Sequence, residues 1–337
     1  MVSLKDVAKI AGVSPSTVSR VINRTVFVSD ETRLKVEKAI AQVNYRPNLL
    51  AQSLRLKVTR NIGLLVPEIA HPAFSLMIDC IEQSASQRGL NLLIFNTHSD
   101  TKREAEAIDM LLGQNINGII FCRVSDESYV DDLSRSYSIP MVVIDRAYHN
   151  EKIPNVTLDN YQAGALAARH LVEVGCRKIA TITGNFKINL ARDRHAGFTE
   201  TLDKLGVKFD ERLLWQGIFS YESGIDGTNY FIDNGLEFDG LWGQNDMVAA
   251  GALMTMVRRG IRVPQDVAVM GMDDVHFAAI YNPPLTTISQ PYDQLCDKAV
   301  DYIDKLTSGE AIEQHQVILP PTLVVRESTR RSSNEPL

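Results

Sequence analysis

LKDVAKIAGVSPSTVSRVIN, residues 4–23, decides the fold of the amino-terminal part of the chain. Ser3 can cap a first helix, and Asp6 is favoured by the partial positive charge of that helix start. Gly12 accepts the left-handed backbone that ends a helix. Ser14 then caps a second helix that opens with Pro15. A helix, a stop and a new start in such close succession predict a helix-turn-helix.

A third helix is expected to begin at the Ser29 cap and to run to about Tyr45, because Pro47 closes it off. Its predicted buried face consists of five apolar side chains: Leu34, Val36, Ala39, Ile40 and Val43. Residues 1–47 therefore read as a small three-helix domain.

Charge is distributed unevenly along the chain. The sequence holds 35 basic and 41 acidic side chains, but residues 1–60 hold 11 Lys or Arg and only 4 Asp or Glu. That leaves +7 on the first sixty residues and −13 on the rest. The outward face of the second helix carries short hydrogen-bonding groups and one arginine: Ser16, Thr17, Ser19, Arg20 and Asn23. A purely structural three-helix unit needs neither feature, so both favour a DNA-binding domain that reads the major groove.

The motifs LKDVAKIAGVSPSTVSRVIN and VSDETRLKVEKAIAQVNYRPNLLAQSLR closely resemble the DNA-binding head of the LacI/GalR family of bacterial transcriptional regulators. The resemblance implies a hinge helix and linker at residues 48–60, in which Asn48–Leu56 folds when two subunits meet on operator DNA. It places Leu54 where the family inserts a leucine between base pairs from the minor groove, with Arg55 beside it. Alone, this segment is too short to be a stable helix in water, which suits folding coupled to binding.

The resemblance also implies which side chains choose the operator sequence: Pro15, Ser16, Thr17 and Arg20. Pro15 has no side-chain donor, so Ser16, Thr17 and Arg20 are left to read bases. We expect Arg20 to donate to a guanine. A contact between Arg20 and a phosphate is the alternative.

From residue 61 onward, short apolar runs such as IGLLV (62–66), GIIFC (118–122) and MVVID (141–145) alternate with amphipathic stretches of helix length. Buried parallel strands with helices on both faces have this pattern, which predicts a doubly wound α/β body. Two similar halves resemble the two-lobed periplasmic-binding-protein fold, the effector domain of the same family. We place this domain at 61–330, with lobe 1 at about 61–160 and 291–318, lobe 2 at about 161–290 and 319–330, and a polar tail at 331–337.

Motifs that would indicate an enzyme are missing. The chain contains no GxGxxG, GxxxxGK[ST], GxSxG or HExxH. Its four cysteines form no CxxC pair, so we expect no zinc site, no disulfide framework and no cofactor. There is no apolar run of membrane-spanning length and no secretory signal, which predicts a cytoplasmic protein without membrane contact.

Ligands of open α/β sheets bind beyond the carboxyl ends of the strands, where several polar residues of this sequence fall. By resemblance to the family, Asp145, Arg194, Asn245 and Asp273 contact the effector, while four further residues form walls or cross between the lobes: Phe74, Arg146, Phe219 and Gln290. Acids, amides and an arginine can pair with adjacent hydroxyls, and an aromatic ring packs on the C–H face of a sugar. The alternative is a buried ion pair between the lobes, made by Asp145, Arg146 and Arg194.

These features predict a homodimeric repressor that binds palindromic double-stranded operator DNA and responds to a small molecule, a sugar or sugar phosphate. The polar tail RRSSNEPL carries no leucine heptads, so we expect a dimer and not a tetramer. Two alternatives stay open. One is a corepressor-dependent regulator that senses a nucleobase, as in the purine-responsive branch of the family. The other is a sugar-processing enzyme that carries a DNA-binding head.

Overall fold

The computed structural model describes residues 3–23, 27–45, 59–123, 139–147 and 152–330. The chain divides into two compact units, Met1–Thr59 and Arg60–Leu337. Within the described residues, no helix is long and apolar enough to cross a membrane.

The first unit contains three helices: α1 (Leu4–Ala11), α2 (Pro15–Asn23) and α3 (Asp30–Gln42). Ser3 and Asp6 cap α1 reciprocally, since the Asp6 carboxylate accepts from the Ser3 backbone N–H at 2.8 Å and Ser3 Oγ accepts from the Asp6 N–H at 3.4 Å. Gly12 follows with a φ of 65°. The Thr17 N–H donates to Ser14 Oγ at 3.1 Å, and Ser29 caps α3. The predicted helix-turn-helix is therefore present, with the stops and starts that its sequence indicates.

Leu34 corrects the predicted core of this unit. The buried side chains are Val7, Ala8, Val18, Val36 and Ala39, whereas Leu34 is 56% exposed. Leu34 lies about 200° around the helix from Val36, because each residue turns an α-helix by about 100°. It therefore points away from the face that α3 packs against its neighbours.

The second unit begins with a six-stranded parallel sheet in the order β11-β5-β4-β3-β1-β2. Its strands are β1 (Asn61–Val66), β2 (Asn91–Asn96), β3 (Gly118–Cys122), β4 (Met141–Asp145), β5 (Asn155–Leu158) and β11 (Gln316–Leu319). Helices α4 (Pro72–Gln87) and α10 (Tyr292–Ser308) pack on one face, and α5 (Thr101–Gly113) packs on the other. Ile62, Leu64 and Val66 face α4 and α10, while Leu65 faces α5, so β1 is buried on both sides.

A second parallel sheet has the order β7-β6-β8-β9. Its strands are β6 (Ile179–Thr183), β7 (Leu214–Gln216), β8 (Gly240–Gly243) and β9 (Ala268–Met270). Helices α6 (Asn160–Glu173) and α7 (Asn189–Lys204) cover one face, and α8 (Tyr221–Asp233) and α9 (Asp246–Arg258) cover the other. An antiparallel pair, β10 (Thr287–Ser289) and β12 (Thr322–Val324), completes this lobe.

Helix α8 forms although part of its sequence disfavours a helix. Its sequence, YESGIDGTNYFID, contains two glycines, which lower helix propensity. The structure shows why small residues stand there: a Cβ on Gly224 would lie 2.0 Å from the Val248 carbonyl oxygen of α9, and one on Gly227 would lie 2.7 Å from the Trp215 ring. Close helix packing therefore takes precedence over local propensity.

The chain passes between the two lobes after β5, after β10 and after β11. The fold class is therefore the predicted one, a three-helix head followed by a two-lobed α/β domain of the periplasmic-binding-protein type. The predicted hinge helix, Asn48–Leu56, and the tail at 331–337 lie outside the described residues.

Candidate functional site

A cavity of about 1050 Å³ lies between the two lobes of the second unit. All eight side chains predicted at the effector site line it: Phe74, Asp145, Arg146, Arg194, Phe219, Asn245, Asp273 and Gln290. They come from the carboxyl ends of strands in both sheets and from the helices that follow, as the rule for ligand sites in open α/β sheets requires.

The Arg194 guanidinium is buried and held by neutral groups. Arg194 is 4% exposed; its Nε donates to Asn160 Oδ1 at 2.8 Å and one Nη donates to the Gln244 carbonyl oxygen at 2.7 Å. The guanidinium carbon also lies 5.5 Å from the centroid of the Phe219 ring. Within the described part of the chain, no ion pair shorter than 4.0 Å joins Arg194 to Asp145 or Asp273. The guanidinium is therefore fixed in place without a carboxylate partner in contact.

Two carboxyl groups face the same cavity from strained backbone positions. Asp145 ends β4 with a φ of 74°, and Asp273 follows β9 with a φ of 112°. Non-glycine residues rarely adopt such angles, and functional sites are where such strain accumulates. Asp273 Oδ1 accepts a hydrogen bond from Gln290 Nε2 at 2.7 Å. These backbones aim both carboxyls at the space between the lobes.

Burial raises the pKa of both carboxyl groups. It raises the pKa of Asp273 to about 7, against the opposing attraction of Arg194 and the hydrogen bond from Gln290. Burial also raises the pKa of Asp145, although Arg146 and Arg194 oppose the shift. Burial therefore disfavours the ionised form of each carboxyl. A ligand hydroxyl that donates a hydrogen bond to a carboxylate would stabilise that form.

The Asn245 side chain joins the two lobes. Its Oδ1 caps α9 by accepting from the Val248 N–H at 2.8 Å, and its Nδ2 lies 2.9 Å from Nε2 of His71, the residue that precedes α4 in the first lobe. Burial lowers the pKa of His71, with the nearby Arg194 charge acting in the same direction and a backbone hydrogen bond with Phe219 opposing it. Because Asn245 Oδ1 accepts from the Val248 N–H, the Asn245 amide nitrogen is the donor in its contact with His71 and Nε2 is the acceptor.

Sequence reasoning did not identify His71 or Tyr292 as site residues, although both line the cavity. His71 precedes α4 and Tyr292 begins α10. Their position at the start of a helix, beside the edge of a sheet, was the only sequence signal for a role in the cavity. The Tyr292 hydroxyl is buried and has no hydrogen-bond partner among the described residues. It can therefore serve as a further donor or acceptor for a ligand.

The aromatic walls are set by close packing. Phe219 covers Gly184, where a Cβ would lie 2.4 Å from the ring. The Phe74 ring packs against the His71 ring in a tilted arrangement, with ring centroids 5.5 Å apart. The cavity thus offers ring faces next to buried charged groups, an arrangement suited to a ligand that is apolar on its faces and polar at its edge.

In the head, the predicted contact residues of α2 are available at its surface. Pro15, Ser16 and Arg20 are exposed, and Thr17 and Ser19 are partly exposed. Ser14 Oγ lies 2.7 Å from Ser16 Oγ and 2.9 Å from Thr17 Oγ1, so both hydroxyls belong to the cap of α2. Asn23 ends α2, but its side chain lies outside the described residues, as do Leu54 and Arg55.

Comparison with known proteins agrees with this architecture. Residues 3–48 match the bacterial regulatory proteins of the lacI family, and residues 59–323 match the periplasmic binding proteins and sugar binding domain of the LacI family. The chain belongs to the LacI family. It is a DNA-binding transcriptional repressor with an effector-binding domain, and it is not an enzyme.

Relatives in this family align along almost the entire chain. The HTH-type transcriptional repressor PurR of Erwinia tasmaniensis is 36% identical over 97% of this chain and 97% of its own length. The ribose operon repressor of Haemophilus influenzae is 33% identical over 97% of this chain and 98% of its own length. Among solved structures, the Lac repressor dimer bound to operator and the anti-inducer ONPF has a TM-score of 0.86 at 31% identity, covering 97% of this chain and 99% of that one. The regulator CelR in complex with cellobiose has a TM-score of 0.75 at 30% identity, with coverage of 97% and 100%.

Proposed function

We propose that this LacI-family repressor binds a palindromic operator as a homodimer and that a sugar or sugar phosphate in the cleft between its lobes controls that binding. The observation that carries the proposal is the buried Arg194 guanidinium, which shares one cavity with Asp145 and Asp273 but contacts neither. A structural ion pair would bring these charges into contact, whereas here the guanidinium donates to the neutral groups of Asn160 and Gln244. Hydroxyl groups placed between them can accept from the arginine and donate to the carboxylates.

The remaining lining residues fit a sugar. Asn245 offers an amide at the cleft, Tyr292 offers a buried hydroxyl, and the rings of Phe74 and Phe219 can pack on C–H faces. A solved relative holds cellobiose and another relative is a ribose operon repressor, which supports a carbohydrate effector. We assign Asp145, Arg194, Asn245 and Asp273 to direct polar contacts, and Phe74, Arg146, Phe219 and Gln290 to the walls.

Control of DNA binding follows as a shift between lobe arrangements. The His71–Asn245 contact already links the lobes, and an effector that grips Asp145 of lobe 1 and Arg194 of lobe 2 adds to that link. A ligand that favours one arrangement changes its population by its differential affinity. In a dimer, this change moves the two heads, so the paired hinge helices around Leu54 and Arg55 no longer fold on the operator.

DNA recognition rests on the exposed face of α2. We propose that Ser16, Thr17 and Arg20 read bases while Pro15, Ser19 and Asn23 position the helix in the major groove. Because bacterial DNA lies in the cytoplasm, we propose that the protein acts there.

Two measurements test the proposal. Thermal unfolding of the full chain is followed against sugars, sugar phosphates and nucleobases, and operator affinity is followed by fluorescence anisotropy on DNA selected from a random pool. A ligand at 100 times its dissociation constant adds about 2.7 kcal/mol to the stability of the folded state. We expect a sugar or sugar phosphate to stabilise the protein and to weaken operator binding. Stabilisation by nucleobases alone, with tighter operator binding, would instead establish the corepressor function.

The variant Arg194→Ala should reduce effector affinity about tenfold to hundredfold, as expected for one or two charge-assisted hydrogen bonds of about 1.5 kcal/mol or more. Operator binding without effector should stay near wild type. Arg194→Lys keeps the charge and serves as a second variant if the alanine protein is unstable. Arg212→Ala is the matched control, because Arg212 pairs with Asp210 on the surface outside the cavity. Loss of operator binding by folded Arg194 variants would assign Arg194 to the lobe architecture.

A further inference from the structure

Two cysteines meet in the first lobe at the seam between α4 and α10, two helices that pack side by side. Cys80 Sγ lies 3.3 Å from the Asp293 carboxylate of α10, three residues before Cys296. Cys296 Sγ lies 3.6 Å from the Met77 carbonyl oxygen of α4, three residues before Cys80. Each sulfur therefore contacts the helical turn that carries the other, which places the two thiols beside each other at the seam.

The two thiols differ in environment. Cys80 is partly exposed at the surface of the seam, whereas Cys296 is buried in the core beneath it. The neighbouring Cys296 thiol lowers the pKa of Cys80, against burial and the carboxylates of Asp293 and Asp79, while the Cys80 thiol and burial raise the pKa of Cys296. Cys80 is thus the accessible thiol of the pair, and Cys296 is the protected one.

We propose that Cys80 and Cys296 form a modification site that a hydroperoxide converts to an intramolecular disulfide. In the first step the Cys80 thiolate attacks one oxygen of hydrogen peroxide, which gives a sulfenic acid and releases hydroxide. In the second step Cys296 sulfur attacks the Cys80 sulfur, and the sulfenic oxygen leaves as water with the Cys296 proton. The two sulfurs lose two electrons in total, and the peroxide gains them.

The other two cysteines do not share this arrangement. Cys122 lies on β3 with its sulfur 3.4 Å from the Met77 thioether and is fully buried. Cys176 is buried in the second lobe, where its thiol donates to the Asp239 carbonyl oxygen at 3.3 Å. Neither has an exposed cysteine beside it among the described residues, so we expect both to stay reduced.

A disulfide at this seam would act on the effector cleft. Helices α4 and α10 both begin at the cavity, with Pro72 and Tyr292 in its lining, and Met77 of the seam also lines it. A covalent link between the helices fixes the relative position of these lining groups. The site therefore connects the oxidation state of the protein with the geometry of its cleft.

Trypsin separates all four cysteines, which makes the test direct. Cleavage after Lys and Arg leaves Cys80 in residues 61–88, Cys122 in 104–123, Cys176 in 170–177 and Cys296 in 263–298. The reduced full-length protein is treated with stoichiometric hydrogen peroxide, quenched with catalase, alkylated and digested without reductant for mass spectrometry. We expect a linked 61–88/263–298 species that dithiothreitol separates, with Cys122 and Cys176 alkylated.

Two variants identify the order of the steps. Cys80→Ser should leave Cys296 alkylated after the same treatment, and Cys296→Ser should leave a sulfenic acid on Cys80 that dimedone traps. Only the wild-type digest is needed if a variant fails to fold. Overoxidation of Cys80 without the linked species, a link from Cys80 to Cys122, or a disulfide-linked dimer on a non-reducing gel would each overturn the proposal.

Discussion

Replacing Asp273 by Asn should stabilise the protein while weakening its response to effector. The carboxyl is 4% exposed and is held by Gln290, and an amide keeps both the shape and an oxygen that accepts this hydrogen bond. The substitution therefore removes the buried ionisable group with little change in packing. Its effect on stability depends on pH in a way that the structure specifies.

The raised pKa of Asp273 determines whether the stability of the wild-type protein rises or falls with pH. Between about pH 4 and pH 7 the folded state holds a proton on Asp273 that the unfolded state releases, so wild-type stability falls as pH rises through this window. The shift from 3.8 to about 7 corresponds to about 4 kcal/mol at 1.36 kcal/mol per pKa unit. Of this contribution to the free energy of unfolding, about 2–3 kcal/mol is lost between pH 5 and pH 8. The stability of Asp273→Asn relative to wild type should rise by that amount over the same interval.

Urea unfolding followed by tryptophan fluorescence measures this difference locally. The only two tryptophans of the chain, Trp215 and Trp242, lie in the same lobe as Asp273. Wild type and variant are compared at pH 5 and pH 8 without effector. Asp203→Asn, which changes an exposed carboxyl of the same lobe outside the cavity, is the matched control.

Effector affinity should move in the opposite direction, falling about tenfold or more in Asp273→Asn because a charged acceptor is lost. A variant that is less stable than wild type at pH 8, or whose stability difference does not change with pH, would show that ionised Asp273 is not a strained group. The reasoning from burial would then be wrong.

Three further outcomes are expected. Gly164→Ala should destabilise the second lobe by about 2 kcal/mol or more, because its Cβ would lie 2.0 Å from the Arg194 carbonyl oxygen. Gly113→Ala, at a helical position with nothing within 4 Å of its Cβ, should cause no destabilisation in the same urea titration. Leu54→Ala should weaken operator binding strongly and random-DNA binding little, since an apolar wedge acts only where DNA is kinked; equal losses in an anisotropy titration would contradict the wedge. The slope of log affinity against log salt should be about −6 to −10 for a dimer whose heads each neutralise several phosphates, and a slope near −2 would place the basic side chains away from the DNA.

Local sequence rules located most of the architecture because the relevant signals are short in range. The Ser3 and Ser29 caps, the Gly12 stop and the apolar runs of β1, β3 and β4 all reflect neighbours within a few residues. The cavity residues Asp145 and Asp273 were found by the same means, since each lies at the carboxyl end of an apolar run and ligands of parallel sheets bind beyond that end.

Features that depend on packing between distant elements were missed. The need for glycine at positions 224 and 227 of α8 comes from packing against α9 and Trp215, which the local sequence does not show. Leu34 was assigned to the core on hydrophobicity, although its angular position on α3 turns it outward. The His71–Asn245 contact joins residues from different lobes, and no local pattern marks such a pair.

The Asn245 amide sets a limit on how this protein can be adapted as a biosensor. One end of the side chain accepts from the Val248 backbone and the other end contacts His71 across the cleft. Aspartate keeps the acceptor but loses the donor, and serine has the cap chemistry but not the reach. Libraries aimed at new ligands should therefore leave position 245 unchanged and vary Phe74 and Phe219, whose rings shape the cavity without capping a helix. Such libraries can change which ligand binds while keeping the helix cap and the contact between the lobes that Asn245 provides.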